Sequence, residues 1–151
     1  MTPIGDAGAV TKDDALHDLL AQRRLGVLAT IKSDGRPQLS SVNHVYDPGQ
    51  QILRVSIRDH LAKTANLRRD PRASYHVGSE SGWSYAVAEA TARLGEVARD
   101  PQDASVEDLI DLYRRASGGE HPDWDDFRHA MVREQRLVLT LAVERVYGLV
   151  R

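Results

Sequence analysis

The sequence predicts a mainly β, α+β domain: a small closed or split antiparallel barrel of six strands with peripheral helices. Short β-prone runs separated by Asp-Gly and Pro-Gly turns fill the first half of the chain. A helical pattern interrupts them at length only over about 99–134, and a run apolar on both alternating faces then closes the chain. With 151 residues, 41% of them hydrophobic, the chain is the size of one domain with one sizeable core.

The elements follow in order. Residues 1–10 are polar and expected to be flexible, which leaves 11–151 as the domain. "TKDDALHDLLAQRR" puts Leu16, Leu19 and Leu20 on one stripe, with Thr11 and Asp14 spaced as a capping box, and reads as a short amphipathic helix. "GVLATIK", "PQLSSVNHVYD" and "ILRVSIR", parted by "SDGR" and "PGQQ", read as an antiparallel meander. A helix from about His60 to Arg69 stops before Asp70-Pro71, because a residue preceding proline is biased out of helical geometry. "ASYHVG" and "SYAVAEATARLGEV" are the next strands. Between Arg99 and Glu134, one helix carries Val106, Leu109, Ile110 and Tyr113 on one face after Ser105, and a second begins near Asp123. "RLVLTLAVERVYGL" is the sixth strand.

Composition removes several classes of function. No apolar stretch approaches 18 residues and the first residues lack a secretory pattern, so a soluble, cytoplasmic protein without membrane contact is expected. The absence of cysteine rules out disulfides, thiolate metal sites and cysteine nucleophiles. A net charge of -2 argues against a surface devoted to nucleic acid. The six histidines show neither HExxH nor close pairing with carboxylates at metal-ligand spacing, so no metal site is expected. Ser40 and Ser41 lack the glycines of a nucleophile elbow. Glu89, between alanines in a strand, reads as exposed or arginine-paired rather than as a buried acid.

Against this acidic background, "SIRDHLAKTANLRRDPRAS" is locally basic: from Arg54 to Arg72, six Lys or Arg stand against two Asp. In an extended strand alternate side chains share a face, so Arg54, Ser56 and Arg58 point one way while Leu53, Val55 and Ile57 point to the core. The same parity pairs Thr30 with Lys32, and Gln38 with Ser40. The helix after Arg58 offers N-terminal amides and a favourable dipole, with Lys63 and Thr64 in its first turn, and together these form a phosphate pocket. Asp59 could occupy those amides, and is read as a cap turned aside. Arg68 and Arg69 serve the helix C-terminus equally well as solvated charges.

These residues carry a resemblance. "GVLATIKSDGRPQLSSV", "VSIRDHLAKTANLRRDPRAS" and "GWSYAVAEATARL" resemble the split β-barrel flavin and deazaflavin oxidoreductases, the group that contains pyridoxamine 5'-phosphate oxidase. They are most similar to its actinobacterial branch, which binds the 8-hydroxy-5-deazaflavin coenzyme F-420. The likeness runs from about residue 14 to the C-terminus. It implies a six-stranded FMN-binding split barrel and a homodimer with a cofactor in each of two interface grooves. Phosphate contacts would fall on Lys63, Thr64, Asn66 and Ser56, and ring contacts on Ala29, Thr30, Ile31, Gln38 and Ser40. Trp83 would come from the other subunit, and His60 would reach the cofactor tail. Trp83 and Tyr85, which share strand parity, can wall a planar ring or anchor a dimer core.

FMN presents one phosphate, whereas coenzyme F-420 continues into a tail bearing several carboxylates and needs a longer cationic track. Arg54, Arg58 and Lys32 would supply one beyond Lys63. The arginine and histidine that pyridoxamine phosphate oxidases place near the C-terminus have no counterpart in "ERVYGLVR". The expected activity is therefore hydride transfer from the reduced deazaflavin to a small organic acceptor, with no residue identifiable as the proton donor. An FMN-binding oxidase and a non-catalytic carrier of the same cofactor are the alternatives, and a nucleic-acid binder lacks the interleaved aromatics it would need.

Overall fold

A computed structural model describes residues 11–151; the flexible N-terminus expected over 1–10 lies outside the described residues. The chain runs α1 (Lys12–Gln22), β1 (Leu25–Ile31), β2 (Pro37–Asn43), β3 (Val45–Asp47), β4 (Ile52–Arg58), α2 (Ala62–Arg69) and β5 (Arg72–Gly78). It continues through β6 (Tyr85–Leu94), α3 (Ala104–Ser117), α4 (Trp124–Arg133) and β7 (Arg136–Leu149). The fold is mainly β, but the strands among the described residues number seven rather than six.

The extra strand arises at His44, where "PQLSSVNHVYD" breaks into β2 and β3. Their order in the antiparallel sheet, β2-β1-β5-β6-β7-β4-β3, places them at opposite edges. Laid flat at about 4.8 Å per strand, those edges would stand roughly 29 Å apart, yet a single residue joins them. The sheet must therefore curl until its edges meet, which is the split barrel. Burial of His44 holds the junction. Its N–H donates to the Arg24 carbonyl at 2.8 Å, its Nε2 bonds the Leu20 carbonyl at 2.8 Å, and its Nδ1 lies 2.6 Å from the Tyr75 hydroxyl. With Nε2 donating to a carbonyl, Nδ1 accepts from Tyr75, the arrangement of a neutral imidazole. Burial lowers the His44 pKa, outweighing the Leu20 bond, and keeps it so. Tyr75 lies flat over Gly26, where any Cβ would overlap its ring.

The inner face of the sheet forms the main core. Leu28, Leu53, Tyr75, Leu137, Leu139 and Leu141 are fully buried there, and α1 closes one end with Leu16, Leu19 and Leu20. The capping box of α1 is present: Asp14 N–H donates to Thr11 Oγ1 at 3.0 Å. A second apolar cluster lies outside the barrel, where Val106, Leu109 and Ile110 of α3 meet Phe127 and Met131 of α4 against Val138. The first half of β7 is thus buried from both sides. Ser105 falls inside α3; the N-cap position is Asp103, whose carboxylate accepts the Arg99 and Asp100 N–H groups at 2.9 Å each.

Candidate functional site

The site is built where β4, α2 and β7 converge. Alternation along β4 buries Leu53, Val55 and Ile57 in the barrel and turns Arg54, Ser56 and Arg58 to its outer face. Antiparallel pairing with β7 sets Arg58 opposite Arg136, two like charges that would repel. Glu134, at the turn into β7, resolves this: its Oε1 accepts from Arg58 Nη2 at 3.1 Å and from Arg136 Nε at 3.0 Å. Burial pushes the Glu134 pKa up, but the bonds from Arg136 and Arg58 outweigh it and hold the carboxyl below its usual range. Arg136 also donates to the carbonyl and hydroxyl of Ser56, each at 3.3 Å.

From Arg58 the chain turns and α2 begins at Ala62, two residues later than the sequence pattern suggests. Its N-cap, Leu61, has no side chain able to bond the first amides, so the helix N-terminus keeps unpaired N–H groups. Asp59 does not cap it; the carboxylate pairs with Arg68 at 2.5 Å. Lys63, in the first turn, has no acidic partner among the described residues. Burial, and then the Arg136 guanidinium, push its pKa down. A cleft of about 350 Å³ opens here, lined by Lys63, Arg58, Ser56 and Arg136, with Ser41, Val42 and Asn43 from β2 on its far wall. An uncapped helix end, an unpaired ammonium, a hydroxyl and two guanidiniums form a donor set that suits a phosphate.

The remaining residues expected at the site divide. Thr64 is fully buried and donates its hydroxyl to the Arg58 carbonyl at 2.6 Å, tying α2 to β4. Asn66 Nδ2 donates to Thr30 Oγ1 at 3.1 Å and to Gln38 Oε1 at 2.8 Å, while its Oδ1 accepts from Arg69 at 3.1 Å. Arg69 in turn donates to the Ile31 carbonyl at 2.6 Å. Thr30, Gln38 and Asn66 are thus brought together as a clamp between α2 and the β1–β2 hairpin, not as lining of the cleft. Ser40 shares their strand face, and its Oγ is buried without a partner.

Six expected contacts lie elsewhere. Ala29 and Ile31 line a groove of about 460 Å³ with Ser74, Glu89 and Arg145, which shares no residue with the Lys63 cleft. Glu89 is ion-paired with Arg145 at 3.1 Å. Lys32 is exposed in the β1–β2 turn, and His60 is exposed before α2; neither lines a described cleft. Arg54 opens into an adjoining cavity. Trp83 is 68% exposed, its ring under the Arg151 guanidinium at 5.8 Å. Conversely, Arg136, Glu134 and Asn43 were not expected at the site. Their place depends on the β4–β7 register and the barrel closure, for which no local signal exists.

Among the described residues no helix is long and apolar enough to cross a membrane, and no group of three or more His, Asp or Glu is placed to hold a metal ion. Solved structures with the same fold include an F-420 reductase, 19% identical over 87% of this chain and 94% of that one, with a TM-score of 0.62. A conserved hypothetical protein from Mycobacterium tuberculosis is 21% identical, covering 94% of this chain and 86% of its own, with a TM-score of 0.70. HutZ, the heme storage protein from Vibrio cholerae, is 17% identical over 88% of this chain and 91% of its own, with a TM-score of 0.63. At these identities the likeness is one of fold. The sequence itself matches the family described as pyridoxamine 5'-phosphate oxidase over residues 13–149. The chain belongs to that family.

Proposed function

We propose that this chain is a coenzyme F-420-dependent reductase that holds the phosphate of its cofactor at the N-terminus of α2. The observation that carries the reading is Lys63: a half-buried ammonium without a carboxylate partner, beside uncapped helix amides, Ser56 and Arg136. Of the three cations Lys63, Arg58 and Arg136, the two arginines share the single carboxylate of Glu134 and Lys63 has none, so the cleft favours a polyanionic ligand. The C-terminal arginines are engaged elsewhere, Arg145 with Glu89 and Arg151 over Trp83, which weighs against recognition of a substrate phosphate as in the oxidases.

When bound, the reduced deazaflavin supplies a hydride from C5 for an electron-poor double bond or imine. The protein's part is to bind, orient and exclude water: Lys63 and the α2 amides anchor the phosphate, while β2 offers a wall for the ring. A homodimer fits this reading. Leu25, Leu39, Trp83, Tyr147 and Leu149 are exposed, and an apolar groove runs along Val27, Leu39, His76 and Val87. Trp83 of the partner subunit would then close the cofactor groove.

Side-by-side titration of the wild type and Lys63→Ala with FMN and with coenzyme F-420 tests this. Preference for the deazaflavin is expected, with Lys63→Ala weakening it by about 1.5 to 3 kcal/mol. Equally weak binding of both, indifferent to Lys63, would refute the reading. Loss of hydride from the reduced coenzyme when acceptors are added separates a reductase from a carrier, and oxygen consumption by a yellow protein would mark an FMN oxidase.

A further inference from the structure

We infer that the cavity between the α3–α4 pair and β4 is the acceptor pocket, and that it takes an amphiphilic monocarboxylate: a ring-sized apolar body with its carboxylate on Arg54. The inference rests on the cofactor reading above. The cavity, about 340 Å³, is at the small end of the range for ligand sites. Its wall is apolar, formed by Leu109, Leu112, Tyr113 and Ala116 of α3 with Phe127 and Met131 of α4. Tyr113 and Phe127 meet edge-on at 5.4 Å, so the aromatic wall is fixed before any ligand enters.

Arg54 supplies the charge. It lies on the same face of β4 as Ser56, is half-buried, and has no hydrogen-bond or carboxylate partner among the described residues. The nearby guanidiniums are committed: Arg58 and Arg136 share Glu134. Arg54 also lines a neighbouring cleft that carries Glu96, Asp108 and Asp111 together with Arg93, and none of the three carboxylates bonds it. A partly desolvated guanidinium beside an apolar wall, lacking an anion of its own, calls for one from a ligand. Glu134 also lines the cavity, and its ionised carboxylate disfavours a second negative charge. The ligand class is therefore a monoanion.

Position links this pocket to the reaction. Asn43, Ser56 and Arg136 line both the cavity and the Lys63 cleft, so a molecule here lies beside whatever the cleft holds. An acceptor whose reducible bond is conjugated to its carboxylate takes hydride at the β carbon and a proton from solvent at the α carbon, while the reduced deazaflavin is oxidised by two electrons.

The probes are 2-naphthoate and its neutral analogue 2-naphthamide, titrated calorimetrically into the full-length chain with and without coenzyme F-420. Wild type should bind 2-naphthoate, and Arg54→Gln should weaken it about tenfold or more. The amide should bind weakly and ignore Arg54→Gln. Ala116→Phe, at a half-buried position of α3 that lines the cavity, should abolish both by filling it. Lys63→Ala should lose the coenzyme and keep the naphthoate. Naphthoate binding that is absent, or equal in wild type, Arg54→Gln and Ala116→Phe while the coenzyme still binds through Lys63, overturns the pocket alone. Mutual exclusion of naphthoate and coenzyme assigns the cavity to the cofactor and overturns the acceptor role. Arg54-dependent naphthoate binding without Lys63-dependent coenzyme binding overturns the cofactor reading, and the acceptor role with it.

Discussion

Asn66 and Lys63 stand three residues apart on the eight-residue helix α2, in opposite circumstances. Asn66 commits both ends of its amide to partners within the chain: Thr30, Gln38 and Arg69. Lys63 has no such partner among the described residues, and its positive charge is partly stripped of water beside another cation. One end of the helix is thus hydrogen-bonded into the fold and the other is left open. A buried donor satisfied internally stabilises the native state, whereas one held unsatisfied costs stability and is kept for something that arrives later. The phrase "AKTANLRR" looks uniform as a motif, and the structure divides it between architecture and function.

Substitutions on the clamped side should produce the largest effects on stability. Asn66→Ala leaves Thr30 and Gln38 without their shared donor in a buried position, and should lower the unfolding free energy by about 2 to 3 kcal/mol, measured in urea. Thr64→Val keeps shape but leaves the Arg58 carbonyl only the long 3.5 Å bond from the Leu61 N–H, and about 1 kcal/mol is expected by the same measurement. A loss near zero for both would place the clamp outside the native energetics and remove the contrast.

Smaller effects are expected on the open side. Asp59→Ala breaks a partly exposed pair with Arg68 and should cost no more than about 1 kcal/mol, because Asp59 does not cap the helix. For Lys63→Met the sign follows from linkage. Burial and Arg136 lower the folded-state pKa, so the native chain holds this proton less tightly than the unfolded chain. Charged Lys63 therefore opposes folding below its unfolded value of 10.5, and the opposition fades as pH rises toward it. Lys63→Met should leave stability at pH 7 unchanged or raise it, within about 0.5 kcal/mol. A clear loss of stability would mean that the ammonium is structural, like Asn66.

The expected elements of the fold are in place because each has a local cause: alternation in β4, the Thr11–Asp14 box of α1, the proline after α2, the doubly apolar start of β7. The strand count differed for a reason equally physical. "PQLSSVNHVYD" has one unbroken β-prone pattern, and its division at His44 comes from partners remote in sequence, Leu20 and Tyr75. Site residues divide in the same way. Ser56, Arg58 and Lys63, which meet in the cleft, are consecutive along one strand and the helix it feeds, whereas Lys32 and Arg54 belonged to the expected cationic track only by strand parity. Parity assigns a side chain to a face but not to a place along the sheet, so Lys32 stands in a turn and Arg54 in a neighbouring cavity.

Periodicity and turn chemistry act over a few residues, and so the sequence by itself determined where the β-prone runs, the helical excursion and a cationic helix start lie. Which cations share a counter-ion was decided by the tertiary structure alone. Arg136 stands 80 residues from Ser56, and only the β4–β7 register and the curl of the sheet bring them together with Lys63. Register is a property of two strands at once, settled by how whole faces pack, and no short stretch of either strand contains it.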